Sequence, residues 1–231
     1  MPSTTKTLSF LSGALCTAIC ASILCFTLAS NEWIFSTMIC KGFNQTEGNG
    51  TAYITFGLFQ AVGSRSACPT FGTPLTITVL TSLGERGGAP NILHNMVIAF
   101  IILSLISSAL SFIITMYNSV SNPFETYMGP LGLYTTSSIS AILILLSIIL
   151  FVVNAETSAL SAEIIKGDIQ ENVDLYDIQN TMKYTFYLLI PALVCSLLAI
   201  TVIYIYEHAR YHQQKEQERP TEDAPKEVMM Y

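Results

Sequence analysis

The chain has 231 residues, a net charge of −6 and only 11% charged residues against 51% hydrophobic ones. An ordinary soluble domain carries ~25% charged residues, and here the few charges are confined to short polar stretches that leave long runs with none. Those runs are apolar all round rather than amphipathic, which excludes a soluble core of this length and marks lipid-facing helices.

Four runs contain no Asp, Glu, Lys, Arg or His: 8–29, 96–117, 131–153 and 184–206. Each reaches the ~20 residues that cross a ~30 Å hydrocarbon core. Inside lipid every backbone N–H and C=O must be paired within the segment, so each run is expected to be helical. The first follows Lys6 and ends on Leu28-Ala29-Ser30, which resembles a signal-peptide cleavage site. Its length exceeds the 7–15 apolar residues of such signals, and an uncleaved anchor is the expected reading. The sequence thus reads as a stub (1–7), a long first loop (30–95), a middle loop (118–130), a second loop (154–183) and a tail (207–231).

The first loop reads as strands. Segments 33–41, 52–60 and 74–82 are rich in β-branched and aromatic residues, and the Asn/Gly-rich stretch 44–50 separates the first two. A small antiparallel sheet above the membrane is the expected arrangement, with 85–90 a flexible, glycine-rich return to the second span. Asn44 and Asn49 each open an N-x-[ST] sequon, which points to a glycosylated lumenal loop. Cys40 and Cys68 are the only loop cysteines; an oxidising compartment favours a disulfide between them, two free thiols being the alternative. Cys16, Cys20, Cys25 and Cys195 lie within spans and read as small buried hydrophobes.

Both termini then lie on the cytoplasmic side. Basic residues divide equally between the two sides, but Lys6, Arg210, Lys215, Arg219 and Lys226 occupy far fewer residues than the five in the loops, which agrees weakly with the positive-inside rule. In the second loop, Leu160, Ile164 and Ile165 recur at helical spacing, so the third span is expected to continue as a helix to Gly167. The acidic residues around it form no EF-hand loop and read as a solvated face.

Small residues at helical spacing suit close helix packing: Ala14, Ala18 and Ser22 in the first span, Ser104, Ser108 and Ser111 in the second, Ser137, Ser138 and Ala141 in the third. They fit an intramolecular bundle or a homodimer face equally. Pro191 predicts a local kink in the fourth span. Pumps, proton-coupled carriers and voltage sensors place ionisable groups at depth, and no span supplies one. No nucleotide-binding loop, nucleophile elbow or zinc-protease motif occurs, so neither an enzyme nor a cofactor is read, and nothing points to nucleic acid. His208 and His212, spaced i, i+4, can hold a metal on one helix face, but no third ligand is evident nearby and no metal site is read.

The middle loop is a punctuated turn, Asn122-Pro123-Phe124-Glu125-Thr126 followed by Gly129-Pro130-Leu131-Gly132-Leu133-Tyr134. With Trp33 just after the first span, Tyr53 and the Gly57-Leu58-Phe59 triplet, this pattern resembles the clarin family of four-span membrane proteins over essentially the whole chain. The tail from Ala209 to Pro225 is most similar to the third paralogue of that family. The resemblance implies a claudin-like fold, a four-transmembrane-helix bundle with a small extracellular antiparallel sheet in the first loop, at the plasma membrane. Claudins carry Trp, Gly-Leu-Trp and two cysteines; here Phe59 replaces the second Trp and Cys40 precedes the triplet, a departure from claudin loop geometry and from a paracellular pore. The resemblance further implies an organiser of membrane contacts, submembrane scaffold and actin, related to hearing. The chain ends Val228-Met229-Met230-Tyr231, with apolar side chains at Met229 and Tyr231 that suit strand addition to a PDZ domain. An auxiliary subunit of a channel or receptor, a homo-oligomer and a barrier protein share the same architecture.

Overall fold

The computed structural model describes residues 4–41, 50–66, 75–120, 129–157, 160–168 and 174–217. The elements are α1 (Thr4–Ala29), β1 (Ile34–Lys41), β2 (Gly50–Phe56), β3 (Gln60–Ser66), β4 (Leu75–Thr78), α2 (Val79–Arg86), α3 (Gly88–Val120), α4 (Pro130–Thr157), α5 (Leu160–Asp168), β5 (Asp174–Met182), α6 (Tyr184–Tyr187) and α7 (Leu189–Gln217).

Four long apolar helices form a bundle in which α1 packs on α3 and α7, and α4 packs on the same two. Only 28–33% of each apolar stretch is buried within the chain. The remainder, including Leu15, Ile106, Leu145 and Leu197, faces outward, as helices that must satisfy lipid on most of their surface require.

With no hydrophobic drive between helices in lipid, hydroxyls and close approach hold the bundle. Ser104 and Ser140 pair their Oγ atoms at 3.0 Å, and Ser111 and Ser137 theirs at 2.6 Å, across α3 and α4. Ser108 turns the other way and donates to the Thr17 carbonyl of α1 (3.1 Å). Ser196 of α7 donates to the Ser137 carbonyl (2.8 Å). The expected serine face of the second span is the packed one. That of the first span is packed only at Ala14: Ala18 is half-buried and Ser22 is exposed, its hydroxyl bonded back to its own helix. The packed face includes Gly13, Ala14, Thr17 and Cys20, and a Cβ on Gly13 would meet Thr115 Cγ2 at 3.3 Å and Ile203 Cδ1 at 3.4 Å. In the third span Ser140, not Ser138, joins Ser137 on the inner side.

At one end a five-stranded antiparallel sheet, ordered β4-β3-β2-β1-β5, sits on the bundle. It is larger than the first-loop sheet expected from sequence. The segment 52–60 does not form one strand: it turns at 57–60, and β3 returns beside β2. Only the first part of 74–82 is strand; from Val79 the chain is helical, with Val79 and Leu83 buried one turn apart. The expected flexible return is an ordered corner. The Gly87 N–H closes α2 on the Leu83 carbonyl (2.9 Å), and Gly87 and Gly88 take φ of 67° and 80°, which only glycine adopts freely. The second loop supplies the fifth strand, β5, which pairs with β1 from Ile34↔Met182 to Lys41↔Asp174. Its Asn180 accepts from Ser161 (3.0 Å) and from Ser36, and donates to the Ala155 carbonyl (3.2 Å), tying strand, sheet and both second-loop helices together. Helix does continue beyond the third span to Asp168, as two pieces, α4 and α5. The helical line also breaks at Leu188, between α6 and α7 and three residues before Pro191, as a residue that cannot donate an i→i−4 bond requires.

Candidate functional site at the sheet–bundle junction

The buried face of the sheet meets the helix ends in one apolar core, and Trp33 is its largest fully buried side chain. The Trp33 N–H bonds to the Phe56 carbonyl of β2 (3.0 Å), and its own carbonyl accepts from the Lys183 N–H just after β5 (2.8 Å). The indole stands edge-on to Phe151 of α4 (4.8 Å), which stacks in turn on Phe186 of α6 (5.7 Å). Its Nε1–H donates to the Thr27 carbonyl (2.8 Å). Thr27 lies in the last turn of α1, whose final carbonyls have no partner within the helix, so the indole caps that helix while filling the junction.

The Gly57-Leu58-Phe59-Gln60 turn is held from three sides. The Gly57 N–H closes it on the Gln60 carbonyl (2.9 Å), and the Val79 N–H donates to the Phe59 carbonyl (2.9 Å). His94 Nε2 lies 2.8 Å from the Leu58 carbonyl; that acceptor assigns the proton to Nε2. A Cβ on Gly57 would lie 2.2 Å from the Ser30 oxygen and 2.6 Å from Asn31 Cα. Glycine is needed there for space, not for φ, because the turn presses directly on the chain leaving α1. Leu58 is buried and Phe59 is partly exposed at the rim.

His94, two residues before the uncharged run 96–117, is a fully buried strut between α3 and the sheet. Asn154 of α4 reaches the same corner, donating to the Pro90 carbonyl (3.2 Å). His94 Nδ1 and Asn154 Oδ1 are buried without a hydrogen-bond partner among the described residues. The one available signal was an ionisable residue two positions before an uncharged run, which in a membrane protein is rarely idle.

The other face of the sheet is open. Phe35 and Tyr53 stack there (6.2 Å, 10° between planes), and Tyr53 and Val62 are exposed. Lys183 lies over the Phe35 ring (5.8 Å) and pairs with Glu32 (3.5 Å). A recess of about 280 Å³ is lined by Thr37, Ile39, Thr51, Tyr53, Asp177 and Gln179, beside the irregularity in β1–β5 pairing. Asp177 there takes a φ of 51°.

At the far end of the bundle, Gly129 and Pro130 start α4 as their motif implies. The Gly129 carbonyl accepts from the Gly132 N–H (3.1 Å), Pro130 occupies the first helical position, where its missing N–H is not needed, and Gly132 is buried in the first turn. Pro123 and Phe124 lie outside the described residues, as do Asn44, Asn49, Cys68, Met229 and Tyr231. Cys40 is in β1, opposite Gly50. The motif residues therefore fall into two groups, Trp33 and Gly57-Leu58-Phe59 at the sheet, and Gly129, Pro130 and Gly132 at the opposite end.

A family model described as Clarin-2-like matches residues 5–203. Clarin-3 of Mus musculus is 34% identical over the full length of both chains, and Clarin-3 of Homo sapiens 32%. Clarin-1 of Homo sapiens is 30% identical over 80% of each chain.

Proposed function

The chain belongs to the clarin family, and from that premise we propose that it is a non-enzymatic organiser of the plasma membrane, with the sheet outside the cell and both termini in the cytoplasm. The observation that carries this reading is the sheet itself. Strands from both loops form one platform, anchored to the helices through Trp33, Gly57 and His94. Its outward face sets Phe35, Tyr53 and Val62 among exposed polar residues such as Thr51, Asp177, Gln179 and Thr181. Aromatic side chains on a preorganised surface bind partners with little ordering cost. The sheet makes lateral or cell–cell contacts, and the tail, through Met229 and Tyr231, recruits a PDZ scaffold and with it cortical actin. Membership of the clarin family is what supports a role in sensory cells, hearing included.

Proximity labelling from the tail in polarised cells tests this, comparing the full chain with one lacking 228–231. Labelling of submembrane scaffold and actin-linked proteins that the truncation abolishes supports the organiser. Labelling dominated by one channel or receptor in both chains replaces it with an auxiliary subunit.

A further inference from the structure

Helix α7 outruns the bilayer. From Leu189 to Gln217 it has 29 residues, ~44 Å at ~1.5 Å each, and from His208 to Glu216 every side chain is exposed. On this projecting end the rings of His208 and His212 meet one turn apart, with 3.2 Å between their Nε2 atoms and 4.6 Å between ring centroids. Tyr204 stacks on His208 (5.9 Å, 14° between planes), and Tyr211 stands edge-on to His212 (6.2 Å). Both imidazoles are thus flanked by a ring and bring the same nitrogen, Nε2, close together.

We propose that this pair chelates a first-row divalent transition ion, Zn²⁺ or Cu²⁺. An ion bound by imidazole sits ~2.0–2.1 Å from each nitrogen. Two nitrogens 3.2 Å apart, each at that distance, subtend an angle of about 100° at the ion, near the tetrahedral value. The separation therefore lets one ion lie within bonding reach of both nitrogens, each of which must present its lone pair to bind it. Imidazole pairs select Zn²⁺ and Cu²⁺ over Mg²⁺ and Ca²⁺, which take oxygen ligands. Glu216 follows His212 by one further turn on the same face. The neighbouring cations are Arg210, whose guanidinium lies 3.8 Å from Glu207, and Lys215. Among the described residues no group of three or more His, Cys, Asp or Glu is placed to hold a metal ion, so these residues supply two ligands and leave the other positions of the ion open. Binding ties one helical turn to the next and stiffens the segment that joins the membrane to the tail.

The test uses the full chain in zwitterionic nanodiscs, stripped of metal and titrated with ZnCl₂, MgCl₂ or CaCl₂. Bound metal is read by equilibrium dialysis and backbone protection over 204–217 by hydrogen exchange. The expected result is one Zn²⁺ per chain beyond that held by the His208→Gln/His212→Gln double variant, at least tenfold slower exchange around 208–216, and no response to Mg²⁺ or Ca²⁺. Each single His→Gln substitution lowers Zn²⁺ affinity at least tenfold, and adding Gln213→His to His212→Gln does not restore it, because position 213 points off the face. The double variant keeps hydrogen-bonding side chains and stands apart from the buried junction, so its folding is not at issue. Equal Zn²⁺ uptake by wild type and double variant, or Zn²⁺ uptake with no change in exchange over 208–216, overturns the proposal.

Discussion

Gly57→Ala is the sharpest perturbation available at the junction. The added methyl would sit 2.2 Å from the Ser30 oxygen, where a carbon–oxygen contact normally lies at ~3.3–3.6 Å. The atoms in the way, the Ser30 oxygen and Asn31 Cα, belong to the backbone leaving α1, so no side chain can rotate aside. Relief requires a shift of about 1 Å between the turn and the end of α1. Overpacking of this kind costs ~1–3 kcal/mol. A comparable displacement stretches the 2.8 Å contact between His94 and the Leu58 carbonyl beyond hydrogen-bonding range and leaves two buried polar groups unpaired, a further ~1–3 kcal/mol. Taking about 3 kcal/mol in all, and ~2–4 °C per kcal/mol for a chain of this size, the unfolding midpoint falls by roughly 6–12 °C. Gly84→Ala is the matched control. It makes the same chemical change where nothing lies within 4 Å of the new Cβ, inside a helix where alanine is favoured by ~0.5–1 kcal/mol. Its midpoint should hold or rise slightly. Thermal unfolding of both variants in one detergent decides the matter: a Gly57→Ala midpoint equal to that of Gly84→Ala refutes the close approach between turn and helix end.

Trp33→Phe removes the Nε1–H that caps Thr27 while keeping an aromatic ring; a loss of ~1–3 kcal/mol is expected, read by the same melt. A double-mutant cycle on Ser111→Ala and Ser137→Ala should return a coupling of ~0.6 kcal/mol and no more than ~1.7, and a coupling of zero contradicts the Oγ–Oγ contact. His94→Leu should lower the midpoint by several degrees whereas His94→Gln, which retains an amide donor for the Leu58 carbonyl, should recover part of the loss. If the sheet faces the lumen, Asn44→Gln and Asn49→Gln each remove one glycan-sized step from the mass that N-glycosidase releases, and an unchanged ladder in both variants reverses the assigned orientation.

The spans were legible because charge is expensive in lipid, whereas a water-exposed helix of the same length needs polar groups along one face. Segments 8–29, 96–117, 131–153 and 184–206 have no such charged face. Which face of each span packs was less legible. Small residues are scattered around α1, and only the position of Thr115 and Ile203 against Gly13 selects Gly13 and Thr17 over Ala18 and Ser22. Strand β5 was hidden for a different reason. Asp174, Asp177, Asn180 and Gln179 are poor strand formers, and the segment is a strand because β1 offers it a partner and Asn180 is bonded to Ser36, Ser161 and Ala155. Trp33 and Gly57-Leu58-Phe59 were singled out by resemblance, but their roles, an indole capping a helix and a turn needing bare backbone, depend on groups far away in sequence. His94 carried no motif at all.

The pairing of β1 with β5 also sets an order of events. β1 emerges with the first loop, yet its outer neighbour, beginning at the Ile34↔Met182 pair, is synthesised only after the third span. At ~5–20 residues per second the interval is on the order of 10 s. Throughout it, β1 presents an unpaired edge, a template for any extended chain nearby. The platform cannot close until the third span has been placed and the second loop delivered to the same side. Topological errors in the last two spans therefore leave the first loop unfinished as well, with β1 as a second open edge of the sheet besides β4.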